Sequence, residues 1–220
     1  MKRRWILLPA ACGLAGCFLF LGCGDDHAKP EIEEPADYPS ATTIDRLLEN
    51  FQQAYKERNA GEFERLLHED FTFVFDPRDV GPDTWPEPTW GREEEIEATG
   101  NLLGGEPNRE DLVVERVRLE WTAGEPHGSP DDEKWRRVIL APVDLEIETV
   151  DANNGDRVFL VTPGGYETHL HVLETEEIDP STGEPIWKLV KWEDKPPVKK
   201  AGRSPRTEQF TWGMIKSLYR

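Results

Sequence analysis

The chain has 220 residues, 44 acidic against 26 basic, and a formal net charge of −18. So acidic a surface repels phosphate backbones and anionic headgroups, which argues against nucleic acid as a partner. Cys12, Cys17 and Cys23 are the three cysteines, all in the first 23 residues; the 197 residues beyond them suffice for one apolar core and must be stabilised without a disulfide or thiolate.

The chain opens with Lys2, Arg3 and Arg4, followed by an apolar stretch from Trp5 to Gly22. That order is the make-up of a secretory signal. Gly, Ala and Cys dilute the stretch, and pairs of a small residue and a cysteine have no purpose in a membrane span, so it fits a cleaved signal better. Leu14-Ala15-Gly16-Cys17 and Phe20-Leu21-Gly22-Cys23 both resemble the lipobox of bacterial lipoprotein precursors, which implies cleavage before one cysteine and its acylation. Cys17 has the better residues before it. Cys23 has the better residues after it: Gly24-Asp25-Asp26 starts an aqueous tether, whereas cleavage at Cys17 leaves Phe18-Leu19-Phe20-Leu21 on the mature chain. We take 1–22 as the signal and Cys23 as the lipidated residue, with an end at 16 and Cys17 as the alternative. The implied location is extracytoplasmic, on the cell membrane or the outer membrane.

Residues 23–40 are acidic, carry Pro30, Pro35 and Pro39, and have too little apolar surface to order themselves, so they read as a disordered tether. The first helix is expected over 43–58, where Ile44, Leu47, Leu48, Phe51, Ala54 and Tyr55 follow helical spacing, capped by Thr42 or Thr43 and ended by Asn59-Ala60-Gly61. A short helix over 62–68 precedes a strand at 71–75, broken by Asp76-Pro77. A Pro/Trp-rich loop fills 77–91, and a third helix over 92–103 stops at Gly104-Gly105. The rest alternates as strands at 112–121, 135–150, 158–161, 166–175 and 186–192, with a loop over 122–134 and turns at Asn153-Asn154-Gly155, Pro163-Gly164-Gly165 and Asp179-Pro180. Residues 195–206 read as a basic surface linker, and 211–219 as a short docked helix or final strand.

Helices first and a strand meander after them make an α+β pattern. Within it, Phe51-Gln52-Gln53-Ala54-Tyr55-Lys56-Glu57-Arg58-Asn59-Ala60-Gly61-Glu62, then Leu66-Leu67-His68-Glu69-Asp70-Phe71-Thr72-Phe73, resembles the opening of the nuclear transport factor 2-like superfamily, SnoaL-like domains included. Trp187, Leu189, Val190 and Trp192 fit its later strands. The resemblance covers residues 41–194. It implies a cystatin-like cone, with N-terminal helices packed on a curved antiparallel sheet around an apolar pocket. It leaves pairing of two copies through the sheet open, and it does not name an activity, because the fold hosts isomerases, dehydratases, binding modules and scaffolds.

In the ketosteroid isomerase branch an Asp before a Pro at the end of the first strand is a general base, and Asp76-Pro77 occupies a similar place. The branch also uses a Tyr in its first helix; the position aligned by Asn59-Ala60-Gly61 is Ala54, not Tyr55. Asp76 equally reads as a turn residue, and Tyr55 as core. Trp85, Trp90, Trp121 and Trp187 could line a pocket or fill the interior. His169 and His171 share one strand face and, with Glu167 and His68, are candidate zinc ligands. Gly-x-Ser-x-Gly, His-Glu-x-x-His and a phosphate-binding Gly-rich loop are missing from the chain. No cofactor is expected. The reading is a lipid-anchored envelope protein whose cone, noncatalytic, binds a small apolar ligand or an envelope protein through Tyr55, Asp76, Trp90 and Trp187. The alternatives are an isomerase or dehydratase using Asp76, and a purely structural component.

Overall fold

A computed structural model of the chain describes residues 38–81, 86–162, 164–195 and 207–220, with only the backbone of 207–209. Cys17, Cys23, Trp85 and residues 196–206 lie outside the described residues.

The amphipathic stripe forms α1 (Ile44–Lys56), and the Thr43 hydroxyl caps it by accepting the Arg46 N–H at 3.1 Å. Leu47, Leu48, Phe51, Ala54 and Tyr55 are buried on one face. The helix stops where Arg58 turns to a φ of 57°. Asn59, expected to share that break, instead caps α2 (Ala60–Leu66) by accepting the Glu62 N–H. α2 lies two residues earlier than expected, because β1 (Leu67–Val74) takes up Leu67 and His68. β2 (Thr89–Gly91) leads directly into α3 (Arg92–Gly104), which ends at Gly105 with a left-handed φ of 77°.

The remaining strands are β3 (Leu112–Ala123), β4 (His127–Gly128), β5 (Trp135–Asp151), β6 (Arg157–Val161), β7 (Glu167–Ile178), β8 (Pro185–Lys195) and β9 (Thr207–Gln209); α4 (Trp212–Leu218) closes the chain. β2 and β4 arise within stretches expected as loops, and β9 was not expected. Among the described residues the sheet runs β2-β1-β8-β7-β5-β6-β9, with β3 and β4 also paired to β5. It curves around the helices as an α+β cone. The expected antiparallel sheet is mixed, however: β1 runs parallel to β8, and β6 parallel to β9. Half of the chain separates β1 from β8, so no hairpin dictates their relative direction. β5 pairs with β7 through Leu140 and with β3 and β6 beyond it. The change of partner falls at Ala141–Pro142, where proline has no N–H for a ladder.

The core lies between the helices and the inner face of the sheet, with Phe51 at its centre. The rings of Tyr55, Phe63, Trp121, Trp192 and Trp212 stand 5.1 to 6.0 Å from that of Phe51. Such pairs contribute about 0.5–1.5 kcal/mol each beyond the area they bury. The core runs past residue 194: Trp212 and Ile215 of α4 are fully buried, and Trp212 meets Trp192 edge-on at 4.3 Å. No helix among the described residues is long and apolar enough to cross a membrane.

Candidate functional site

Side chains alternate across a strand, so β8 sends Trp192 and Asp194 into the cone and Lys191, Glu193 and Lys195 to the outer face. The inner face carries the chemistry. Lys216 of α4 is completely buried, and its ammonium donates to both oxygens of Glu95 on α3, at 2.9 and 2.8 Å. It also sits over the rings of Phe73 at 3.5 Å and Trp192 at 3.9 Å, with Trp90 at 5.6 Å. Glu95 is held in turn. The Trp90 indole donates to one of its oxygens and the Thr99 hydroxyl to the other, each at 2.9 Å.

A second buried carboxylate, Asp194, accepts the Gly213 N–H at 2.6 Å. Burial pushes its pKa up to about 7, against the pull of Lys216. Burial also lowers the pKa of Lys216, over the attraction of Glu95 and Asp194. At the start of α4, Thr211 donates to Asp79, and the Trp212 N–H donates to the Tyr166 hydroxyl at 3.2 Å. Gly213 is needed for this fit: a Cβ there would stand 2.7 Å from the Phe75 ring and 3.0 Å from Asp194.

Three of the four candidate pocket residues lie near this position, and of these Trp90 also borders an open groove of about 240 Å³ with Thr72, Glu87 and Glu94. Tyr55 is buried against Phe51 and edge-on to Trp212 at 5.3 Å, packed in the core as its place on the apolar stripe allows. Trp90 is buried between Phe73 and Phe75. Asp76 is buried at the end of the first strand, but it accepts from the Arg78 backbone N–H and guanidinium, both at 3.0 Å. Burial opposes its charge; the Arg78 hydrogen bonds win and hold the carboxyl below its ordinary value. That suits a turn, whereas a general base needs a pKa near working pH. Trp187 lies apart. It is half-buried, and it borders a groove of about 160 Å³ with Ala41, Arg65, Ile186 and Lys188.

The candidate zinc ligands occupy the outer face. His169 and His171 do face the same way, and Glu193 lies 3.8 Å from each. The ligand atoms of Asp131, His171 and Glu193 lie within 4.8 Å of one another. Glu167 pairs with His169 alone, at 2.6 Å, and His68 belongs to a separate cluster with Glu69 and Asp70. Lys191 already bridges Asp131 and Glu193, and Lys195 reaches Glu193 at 2.8 Å. An ion would have to displace an ammonium, so the geometry fits a charge network better than zinc. His171, Lys191 and Lys195, acting against burial, hold the Glu193 carboxyl well below its usual range.

Glu95, Thr99, Asp194, Gly213 and Lys216 escaped the sequence reading, yet a signal was there. Glu95, Ala98, Thr99, Leu102 and Leu103 form the inward stripe of α3, and Trp212, Ile215, Lys216 and Tyr219 that of α4. Each stripe carries one charge, and the two are opposite in sign.

No family description matches the chain, and no curated protein does. Among solved structures, an NTF2-like protein of unknown function in nutrient uptake from Rhodospirillum rubrum is 17% identical, with 69% of this chain and 95% of that chain covered and a TM-score of 0.40. A putative aromatic ring hydroxylase from Novosphingobium aromaticivorans is 13% identical, with 72% and 90% covered and a TM-score of 0.44. A conserved protein from Planctomyces limnophilus is 15% identical, with 69% and 91% covered and a TM-score of 0.42.

Proposed function

We propose that this protein is a lipid-anchored envelope protein whose nuclear transport factor 2-like cone binds a small ligand or protein partner without catalysing a reaction. In this reading acyl chains on Cys23 hold it to a cell or outer membrane, and residues 24–40 set the cone off the surface. Two or more chains are needed, since each buried methylene contributes only about 0.8 kcal/mol. The observation that most supports a noncatalytic role is the Asp76–Arg78 turn: the carboxylate that would take a proton is already charge-paired and hydrogen-bonded.

One observation favours an isomerase or dehydratase instead. Asp194 is buried, with a pKa of about 7, in the same interior as Tyr166. Turnover lost in Asp194→Asn and kept in Asp76→Asn would establish that reading. A purely structural role predicts a filled cone; among the described residues α4 packs Trp212 and Ile215 into the interior, and it also carries a buried cation there.

Two measurements on the full chain test the proposal. Mass spectrometry of the N-terminal lipopeptide should find acylated Cys23, and Cys23→Ser should move the protein from the detergent phase to the aqueous phase while Cys17→Ser does not. Native mass spectrometry of protein purified from its source should find a retained small molecule or partner. Unprocessed chain in the cytosol defeats the anchor; a bare monomer throughout defeats the binding role.

A further inference from the structure

We infer that the interior of the cone is a binding site for a primary alkylammonium group, and that Lys216 of α4 is its resident occupant, which a free amine can replace. This inference rests on the noncatalytic binding role proposed above and names the ligand class.

Every part of the cage comes from elements other than α4. Glu95 and Thr99 belong to α3, Trp90 to β2, Phe73 to β1 and Trp192 to β8. The Glu95 carboxylate is buried, and Trp90 and Thr99 aim it. Were α4 to withdraw, Trp90 and Thr99 would still aim that carboxylate at the place the ammonium leaves, beside the rings of Phe73 and Trp192. A cation is the one kind of group that satisfies both, because ring faces and a carboxylate both present negative charge. The cation itself belongs to a helix of seven residues, too short to hold its shape without the pocket it fills.

The geometry selects a primary ammonium. Two of its three N–H donors are spent on the two Glu95 oxygens. A quaternary ammonium would lose those hydrogen bonds, and a guanidinium is planar and wider than the ammonium now seated there. The Lys216 stem is completely buried along with its ammonium, so the fitting ligand has an aliphatic tail. Because α4 is tethered, it competes at a high effective concentration, and a free amine must be supplied in excess to replace it.

Lys216→Ala removes the resident ammonium and most of its stem in the full-length chain. n-Butylammonium chloride should raise the unfolding temperature of this variant saturably, while n-butanol and sodium chloride of matched ionic strength do not, and adding Glu95→Gln should abolish the rise. If Lys216→Ala does not fold alone, refolding in n-butylammonium against sodium chloride gives the same comparison. In the wild type, a larger excess of n-butylammonium should speed amide exchange over 212–218 before the rest of the domain responds. Failure of the amine to stabilise or refold Lys216→Ala overturns the inference. So does stabilisation of that variant without any loosening of wild-type α4, because the cage is then only a structural ion pair. A wild-type protein that ignores amines yet retains another molecule in native mass spectrometry sinks the cage and keeps the binding role.

Discussion

Glu193 and Asp194 are neighbours on β8 and differ by one methylene, yet the fold treats them as opposites. Glu193 faces outward among His171, Lys191 and Lys195, which keep its carboxyl ionised far into acid. Asp194 faces inward, where burial outweighs Lys216 and raises its pKa to about 7. Lysine divides the same way. Lys191 is partly exposed and shared between Asp131 and Glu193, whereas Lys216 is sealed against Glu95 under Phe73 and Trp192. An ion pair near water is bought cheaply and matters little; one in a dry aromatic interior leaves a large deficit when either partner is removed.

The sharpest way to break this contrast is Lys216→Met. It keeps most of the bulk and strands the Glu95 carboxylate, so stability should fall by about 3–5 kcal/mol, read from the urea midpoint. Adding Glu95→Gln should recover part of the loss, because the deficit comes from the unpaired charge rather than from the missing bond. Recovery by the second substitution separates a charge effect from simple loss of packing.

Gly213→Ala attacks the same contrast by shape. The new Cβ would meet the Phe75 ring at 2.7 Å, so α4 must shift and the Gly213 hydrogen bond to Asp194 must lengthen. We expect a loss of about 1–3 kcal/mol, with faster amide exchange in α4. An unchanged midpoint would mean that α4 is held more loosely than its contacts imply.

Titration separates the two faces by sign. Asp194 has a raised pKa, so its stabilising contribution is complete below its ordinary value of 3.8 and is lost as pH rises toward about 7. Asp76 and Glu193 have lowered values, so theirs are present above the ordinary carboxyl range and are lost on acidification. Burial lowers the His169 pKa, so its contribution also rises with pH and opposes that of Asp194 over part of this window. The clean measurement is therefore a difference. Asp194→Asn should gain on the wild type between pH 4 and pH 7 and should leave the acid limb unchanged. A gap that does not vary with pH would mean that Asp194 is not the group titrating.

How much of this was legible in the sequence follows the kind of signal involved. Periodicity found α1, α3 and the long strands to within a few residues, because their buried faces repeat over many positions. It missed β2, β4 and β9, which are two or three residues long and are held only by register with a neighbour. It missed the direction of β1 against β8, since pairing between distant segments leaves no local mark. Asp76 stood out through its proline, and Arg78, two residues on, changes what it can do. Glu95 and Lys216 lie 121 residues apart, and only the fold shows that their two stripes face each other.

The smallest expected effect lies on the outer face. Lys191→Met should cost less than about 1 kcal/mol, and raising the salt should shrink the difference further, because charges close to solvent are screened. The same substitution tests the zinc candidates, since it removes the ammonium that lies between Asp131 and Glu193 beside His171. If Lys191 takes the place of a metal, zinc should raise the melting temperature of Lys191→Met more than that of the wild type, and His171→Gln should cancel the gain. If the face is only a charge network, zinc should leave both proteins alike, and salt should erase what the substitution cost. Salt should leave the deficit of Lys216→Met almost untouched, because Glu95 is fully buried and the methionine side chain fills the place of the lost ammonium.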